Sequence, residues 1–421
     1  MNMKKSNILI TLLAIFTFSI NTATLAQDTI LPANTSTNGL IDVFLDFHFQ
    51  DQYIREKINF VNYVRDRQMA DVHIMLNRHS SGTAGQNYVF TFIGREKFSG
   101  MNNEITFWAH STNTYNETRK GMVDALTLGL MPYVANTFLV NKININISDI
   151  DREEREEVAD PWNNWTFRVY GGLNLRQERK QSRLDSRWGF SADKLSDDWK
   201  IKARPYFNIN RQSFVIDDVE ISRNQFRHGF DGFLIQSINQ HWSVGFFLDM
   251  LSSTFHNILF NIEAQPGIEY SFLPYTEANY RAITLDYRIG AGHHRYIEET
   301  IFFKMKENLY HHSLNFTARL QQQWGSFEAG ISGSHYFHDY TANRISLESN
   351  LGLRIIKGLS LNLWGSFEYI NDLVALPAGD LPIEDILLRQ RRQATDYEVF
   401  AHIGITYTFG SDFVNVINTR F

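Results

Sequence analysis

The run from Tyr397 to Gly410, YEVFAHIGITYTFG, constrains the fold more than any other stretch of the chain. Its odd-numbered residues are apolar or aromatic, with an aromatic residue at each end, and most of its even-numbered residues are polar or small. Because a β-strand places alternate side chains on opposite faces, the run predicts a strand with one apolar face. That face must meet either a protein core or lipid.

The composition favours lipid. Aromatic residues make up 14% of the chain, and the mean hydropathy of −0.29 excludes a polytopic helical membrane protein. A transmembrane β-barrel fits both values, because alternation averages the hydropathy along each strand. The net charge of −6 gives no reason to expect nucleic acid as a partner. The absence of cysteine excludes disulfides, a thiol nucleophile and cysteine-zinc sites.

Alternating runs recur throughout the chain beyond Trp162. Their centres predict twelve strands, at Val169, Gly189, Tyr206, Phe230, Phe246, Ile262, Leu285, Phe316, Ile331, Leu351, Leu363 and Ile403. Connections such as Lys357–Gly358 are short, whereas His293–Tyr310 and Asn371–Asp396 are long. Short turns that alternate with long loops are typical of outer-membrane barrels, whose long loops face the outside of the cell. The fold class predicted is an α+β periplasmic domain followed by an all-β transmembrane antiparallel barrel of about 12 strands.

The first part of the chain predicts export and a separate domain. Lys4 and Lys5 precede a short apolar run, and a small-residue cleavage pattern ends at Ala26, so residues 1–26 read as a signal peptide. Residues 39–150 predict a periplasmic α+β domain of order β-α-β-β-β-α, with helices over 51–67 and 117–138. A charged linker over 151–161 and a barrel over 162–421 follow.

The last third of the chain resembles a family of bacterial outer-membrane barrels. The segments that carry the resemblance are YINDLVALP, EDILLRQRR, YEVFAHIGITYTFGS and the closing NTRF. Some members of this uncharacterised family are described as salt-stress-induced outer-membrane proteins. The front region is similar to the front domain of related proteins with the same two-part layout, except that it has no cysteine after its first strand. The resemblance implies fold and location, and it supplies no catalytic residue and no substrate.

Chemical motifs are weak. A hydrolase would need His402 to meet Ser366 or Ser349, but inward polar residues are normal in any barrel. The pairs His293–His294 and His311–His312, with His335 and His338, flank one predicted outer loop and could bind a metal, although solvated loop histidines explain them better. NRHSSGTAGQN lacks the lysine of a phosphate loop and predicts a hairpin. No catalytic residue, metal site or cofactor is predicted.

The side chains predicted to point into the barrel carry charges of both signs. They are Arg168, Lys202, Arg204, Asp249, Glu263, Asp286, Arg288, Arg319, Glu328, Glu348, Arg354, Glu368 and Glu398. A barrel of about twelve strands lies between a filled barrel and an open channel. Opposite charges at close quarters would pair, which favours a narrow or plugged interior over a general porin.

The function predicted is a non-enzymatic outer-membrane barrel that anchors a periplasmic binding or envelope-maintenance domain. The alternatives are a narrow solute channel and, third, a hydrolase embedded in the barrel. Arg55, Arg65, Arg67 and Arg119 are expected on the exposed helix faces of the front domain, as a cationic surface for a periplasmic protein or peptidoglycan. The helices should in turn bury Ile58, Val61, Leu126 and Leu130. Outer-membrane lipid is the other expected partner, and nucleic acid is not.

Overall fold

The structure of the protein is a computed structural model. It describes residues 39–80, 82–144, 160–216, 219–379 and 395–411. The predicted signal peptide, linker residues 151–159 and the segment EDILLRQRR lie outside the described residues. Two sheets follow each other along the chain, one of five strands and one of twelve. We call the five-strand part the front domain and the twelve-strand part the large sheet.

The front domain is a mixed sheet with the strand order β2-β1-β3-β4-β5 and two α-helices. Its elements are β1 (Asp42–Asp46), α1 (Asp51–Lys57), β2 (Asn62–Tyr63), β3 (Val72–Ser80), β4 (Gly85–Gly94), β5 (Asn102–His110) and α2 (Tyr115–Val134). Strand β1 runs parallel to β2 and β3, and β3, β4 and β5 are antiparallel. The predicted hairpin between β3 and β4 is present.

The first helix is shorter than its pattern predicted. Helix α1 ends at Lys57, and Asn62–Tyr63 form a short strand beside β1 instead of a further helical turn. The Tyr63 hydroxyl donates a hydrogen bond to the Ile58 carbonyl 2.9 Å away, which satisfies a group at the end of the helix. Ile58 and Val61 are buried as predicted, because a loop followed by an edge strand can bury the same side chains as a helix face.

Helix α2 covers the apolar face of the front-domain sheet. Thr114 and Glu117 form a reciprocal capping box at its start. Leu126 and Leu130 are fully buried, as predicted. At Gly129 the helix approaches the sheet so closely that an added Cβ would lie 2.1 Å from the Phe92 ring. The absence of a side chain at Gly129 therefore sets the distance between helix and sheet.

We expect Gly129→Val to destabilise the front domain by about 1–3 kcal/mol, because Phe92 would have to leave its place in a packed core. The neighbouring Leu128 is 61% exposed, so Leu128→Ala should change the stability by less than about 0.5 kcal/mol. A urea titration followed by protease resistance of the front domain measures both. Equal effects of the two substitutions would show that the close approach at Gly129 is unimportant.

The large sheet contains twelve antiparallel strands in sequence order from β6 to β17. Their bounds are β6 (Trp165–Gln177), β7 (Gln181–Leu195), β8 (Trp199–Ile216), β9 (Val219–Ser237), β10 (Trp242–Ser253), β11 (Ile258–Ser271), β12 (Arg281–Tyr296), β13 (Lys306–Gln322), β14 (Gly325–Tyr336), β15 (Asp339–Ile356), β16 (Leu359–Ile370) and β17 (Tyr397–Tyr407). All twelve predicted centres lie within these strands. Strands β6 and β17 each pair with one neighbour among the described residues, and both are exposed along almost their whole length.

The predicted alternation of short and long connections is largely wrong. The connection after β6 contains three residues, 178–180, and the one after β14 contains two, 337–338. The predicted loop His293–Tyr310 shortens to residues 297–305, because β12 and β13 extend into it and pair from Arg295 and Lys306 inward. The connection from β11 to β12, residues 272–280, has the same length. The predicted two-residue turn Lys357–Gly358 is present, and β16 and β17 are still separated by the 26 positions 371–396, of which 380–394 lie outside the described residues.

The register divides the large sheet into an apolar face and a polar face. Residues directly opposite each other on neighbouring strands share a face. Leu351 lies opposite Leu363, and Leu363 lies opposite Ile403, so these three side chains form one row on the apolar face. This face is solvent-exposed over much of its area: Val169 is 81% exposed and Ile403 is 71% exposed.

Aromatic residues mark both ends of the apolar face in the last strand. Tyr397 and Tyr407 are ten residues apart and frame Val399, Ile403 and Ile405. Ten residues of antiparallel strand span about 34 Å, and a tilt of about 45° reduces this to about 24 Å. That height matches the apolar band of about 25 Å on an outer-membrane barrel.

Within the described residues, no helix is both long enough and apolar enough to cross a membrane.

Candidate functional site: the polar face and its two ends

The charged side chains expected inside the barrel all lie on the polar face of the large sheet. Two cross-strand rows connect them. Arg204 lies opposite Asp231, which faces Asp249, which in turn faces Glu263. The second row joins Asp286 through β13, β14 and β15 to Glu368 and Glu398. Strand alternation and the same register place the remaining ones on this face too, namely Arg168, Lys202, Arg288, Arg319, Glu328, Glu348 and Arg354.

Many of these charges are neutralised by close neighbours. Arg319 donates to Glu328 at 2.6 Å on the adjacent strand, and Arg204 pairs with Asp231 in the same way. Arg288 pairs at 2.8 Å with Asp286, two residues away on its own strand. These charged side chains therefore neutralise one another along the polar face, which carries paired charges of both signs.

Five of the six histidines named in that prediction are strand residues and divide between the two faces, whereas His338 lies in the connection 337–338. His294 and His311 lie on the polar face, where His311 Nε2 is 3.2 Å from Glu263 Oε1. His312 and His335 lie on the apolar face and contact each other at 2.5 Å. The strand pattern simply continues through both pairs, which is why the loop assignment is wrong. No group of three or more histidine or acidic side chains in the described part of the chain is arranged to hold a metal ion.

The hydrolase geometry fails at one of its two serines. Ser349 lies opposite Gly365, on the apolar face between Leu347 and Leu351 in β15. His402 lies opposite Trp364 on the polar face, so the two side chains are separated by the sheet. Ser366 shares the face of His402, and among the described residues no hydrogen bond joins them.

The long connections cover part of one end of the polar face. The amide of Asn257 donates to the carbonyls of Glu298 and Ala375, at 3.0 and 3.1 Å. Thr300 is fully buried and forms a β-bridge with Pro377. The connection from β12 to β13 is thus tied to the start of the connection from β16 to β17. We call this side of the large sheet the loop end and the opposite side the turn end.

The front domain docks on the turn end. Asp66 Oδ2 accepts a hydrogen bond from the Gly358 amide at 3.0 Å, and Thr91 donates to the Tyr280 hydroxyl at 3.1 Å. Gln321 donates to the Leu76 carbonyl at 3.4 Å. These contacts come from two connections of the large sheet, β15–β16 and β11–β12, and from the end of strand β13.

Docking also brings the two edges of the large sheet near one domain. Thr83 donates to the Thr166 carbonyl of β6 at 3.0 Å, and Arg65 donates to the Phe409 carbonyl just beyond β17 at 3.2 Å. A flat sheet of twelve strands would be about 53 Å wide. A domain of about 100 residues has a radius of gyration of only about 13 Å. The large sheet must therefore be curved, with its edges brought toward each other at the turn end.

An ion pair lies on the side of the front-domain sheet that carries Asp46, His73 and Asn77, which we call the docking face. Arg354 of β15 binds both carboxylate oxygens of Asp46 in β1, and its guanidinium lies 5.4 Å from the centre of the Phe44 ring. His73 is fully buried and donates from Nε2 to Oδ2 of Asp46 at 2.9 Å. We call Asp46, His73 and Arg354 the docking triad. The strand alternation predicts Arg354 in the lumen but indicates no partner for it.

A signal for this face exists in the alternation of β3. Val72, Ile74 and Leu76 point into the front-domain core. The intervening His73 and Asn77 are also buried, although their side chains are polar. A strand buried on both faces with polar residues on one face indicates a second, polar contact surface. The sequence alone could not say what covers that surface.

The four arginines predicted to be exposed are each half-buried, and that expectation is wrong. Arg119 lies over the Tyr53 ring at 4.2 Å, and Arg55 lies over the Tyr63 ring at 5.4 Å. Arg65 contacts the end of β17, and burial lowers the pKa of Arg67. Long aliphatic stems pack readily on aromatic rings while the charged group stays near water. The role of these residues in binding a partner stays a prediction.

The docking triad predicts a pH dependence. Burial, with the nearby positive charges of Arg67 and Arg95, lowers the pKa of His73 to about 3, although Asp46 shares its negative charge between Arg354 and His73. Between pH 6.5 and about 3 the unfolded chain binds a proton that the folded state refuses. The contribution of His73 is therefore fully present above pH 6.5 and falls by about 1.4 kcal/mol for each pH unit below it. Thermal unfolding of the front domain should show this loss, and His73→Gln should make the decline shallower. An identical pH profile for the variant would contradict the assignment.

No protein-family model matches the chain, and no curated protein matches it. The resemblance to the salt-stress-induced family therefore stays a prediction. Two solved structures are similar at low levels. The NanC porin, in a rhombohedral crystal form, is 10% identical, covers 56% of this chain and 100% of its own, and has a TM-score of 0.25. The β domain of the Bordetella autotransporter BrkA is 13% identical, covers 58% of this chain and 98% of its own, and has a TM-score of 0.23. Neither score supports a statement about ligand or transport.

Proposed function

We propose that the protein is a non-enzymatic outer-membrane protein whose large sheet closes into a barrel in lipid and holds the front domain at the periplasmic side. The observation that carries this proposal is the exposed apolar face of the large sheet. Soluble proteins rarely expose an apolar surface that extends over many strands. Lipid is the environment that such a face requires.

Lipid also requires the sheet to close. In a bilayer an open sheet edge leaves peptide groups without hydrogen-bond partners, at several kcal/mol for each group. Strands β6 and β17 carry the two exposed edges, and the front domain contacts residues next to both at the turn end. Pairing of β6 with β17 would satisfy both edges at once. We therefore place these two strands at the seam of the barrel.

The orientation follows from the docking. The front domain precedes the large sheet in the chain and lies at its turn end, opposite the long connection between Ile370 and Tyr397, and the long loops of outer-membrane barrels face the outside of the cell. The predicted signal peptide would deliver the chain to that compartment. The loop end, with residues 297–305 exposed around Phe303, would then face the outside of the cell.

A non-enzymatic role agrees with how the polar groups are used. Arg204, Arg288 and Arg319 are held by neighbouring carboxylates. Such groups form a wall of paired charges along the polar face. The front domain at the turn end and the tied connections at the loop end favour an anchored domain over a wide pore.

Conductance tests this choice. We expect the full chain, inserted in a planar bilayer, to give no steady large current, because both ends of the polar face are covered. Insertion is checked separately by the shift in gel mobility between unheated and heated samples, which reports a folded barrel. Large, stable current steps from the unmodified protein would favour the solute channel instead.

The partner of the front domain is proposed to be an anionic periplasmic ligand, with peptidoglycan or a protein as candidates. Arg55 of α1 and Arg119 of α2 belong to the predicted cationic surface, and each is half-buried over an aromatic ring, Tyr63 and Tyr53 respectively. We expect retention of the full chain on envelope material to weaken as salt rises. Arg55→Gln with Arg119→Gln should reduce retention several-fold, whereas Lys57→Gln, at an exposed lysine paired with Glu56, should not. Retention that changes neither with salt nor with the two arginine substitutions would rule out this surface as the binding site.

A further inference from the structure

The interface between the front domain and the large sheet is built almost entirely from polar contacts. The hydrophobic core of the front domain is formed by described residues between Ile41 and Ile143, and no residue of the large sheet belongs to it. What joins the two parts is the docking triad and single hydrogen bonds, such as Asp66 to Gly358 and Thr91 to Tyr280. Interfaces of this kind within one chain resemble transient ones, so relative motion is the default expectation.

Buried polar atoms on the docking face lack partners in the docked state. His73 Nδ1, Asn77 Nδ2 and His79 Nε2 lie along one side of β3, and Asn87 Oδ1 lies opposite His79 on β4. None of these atoms has a hydrogen-bond partner within the described part of the protein. Polar groups of this kind hydrogen-bond to water wherever they reach it. The chemistry of the face therefore suits an uncovered state as well as the docked one.

The same face is aimed at the interior wall of the large sheet. Arg354, bound by Asp46, belongs to the polar face, and so does Arg319, whose positive charge acts on His79. Gly82 at the β3–β4 turn sits against Asp193 at the other side of the turn end. The front domain thus covers the polar face where it opens at the turn end.

From these observations we propose that the front domain is a releasable plug, and that its undocking opens a narrow polar passage through the barrel. This inference rests on the proposed function, since a passage exists only if the large sheet closes in the membrane. Release separates Asp46 from Arg354 and hydrates the docking face. The opened passage is small, because the connections tied at Thr300 and Pro377 still constrict the loop end. The paired charges of both signs along the wall would pass small ions of either charge.

Two variants shift the front domain between its docked and released states, one by favouring release and one by locking it in place. Asp46→Asn removes the carboxylate that both Arg354 and His73 bind, and so favours the released state. The lock uses Gly82 and Asp193: a Cβ added at Gly82 would lie 3.1 Å from the Asp193 Cβ, a few tenths of an ångström closer than the 3.5–4.5 Å spacing of a disulfide. Because Gly82 has a φ of +62°, the turn must shift slightly to hold a cysteine there. Because the natural chain contains no cysteine, Gly82→Cys with Asp193→Cys introduces the only possible disulfide. Each single cysteine variant serves as its control.

The measurement is single-channel recording of the full chain in planar bilayers. We expect Asp46→Asn to open at least ten times more often than the natural protein. In the combined variant the oxidised disulfide should abolish these openings, and a reductant should restore them. Thiol titration confirms the disulfide, and heat-dependent gel mobility confirms a folded barrel in every sample.

Two results would overturn the plug. One is that Asp46→Asn inserts and folds but opens no more often than the natural protein. The other is that openings persist unchanged when the disulfide is fully formed. A chain that fails to insert at all would instead count against the proposed membrane function, so the two failures are distinguishable.

Discussion

Leu363→Arg should lower the stability of the membrane-inserted large sheet by about 2–4 kcal/mol, because it places a charge near the middle of the apolar face. Leu363 lies between Leu351 and Ile403 on that face. An arginine there has no polar partner in the row and would have to reach the membrane surface. The loss should appear as a smaller fraction of folded, heat-modifiable protein after refolding into lipid.

The neighbouring Asn362→Arg is a matched control. Asn362 points to the polar face and lies opposite Gly352 and Gly404, which leaves room for a longer side chain. The paired charges already present on this face indicate a wet environment. We expect a cost well below that of Leu363→Arg, and equal losses for the two substitutions would exclude lipid contact at Leu363.

Asp46→Ala should destabilise the front domain by about 2–4 kcal/mol. Removing one member of a buried ion pair leaves the other charge without compensation. Here both Arg354 and the fully buried His73 would lose their acceptor, although Arg354 is partly exposed and water would recover some of the loss. Urea unfolding of the front domain in the full chain measures the change.

Asp51→Ala serves as its control. Asp51 pairs with Arg55 one helical turn away at 3.6 Å, close to the surface. Such pairs contribute only about 0.3–0.5 kcal/mol. If the two alanine variants unfolded at the same urea concentration, the docking triad would not stabilise the domain.

The strands of the large sheet were predictable because their signal is local. Alternation over eleven or more residues places every predicted centre inside a strand and separates Leu363 from Asn362 correctly. The assignment of His294 and His311 to a loop is wrong for the same reason. A strand can continue past the membrane boundary without any change in the alternation of its side chains. The predicted lengths of the connections are wrong for a related reason. Polar residues occur both in loops and on the polar face of a strand, so a polar residue does not mark where a strand ends.

The front domain shows where local patterns stop being sufficient. Helical spacing through Val61 suggested one long helix, but pairing of Asn62–Tyr63 with β1 is a tertiary interaction and replaces the helix after Lys57. The docking triad joins residues about 280 to 310 positions apart in the chain, as the separation of 308 between Arg354 and Asp46 shows. The periodic pattern of apolar residues along the sequence cannot indicate a contact between residues so far apart in the chain. Only the polar residues on the buried side of β3 hinted at it.

Surface labelling in a chain without native cysteine tests the membrane arrangement most directly. At the loop end, Phe303 is 79% exposed and serves as the labelling site. Tyr115 in the front domain is 66% exposed and serves as its counterpart. With a membrane-impermeant maleimide on intact cells, we expect Phe303→Cys to react, and Tyr115→Cys to react only after the outer membrane is permeabilised. Labelling of Tyr115→Cys in intact cells, with Phe303→Cys protected, would contradict the orientation and the periplasmic position of the front domain.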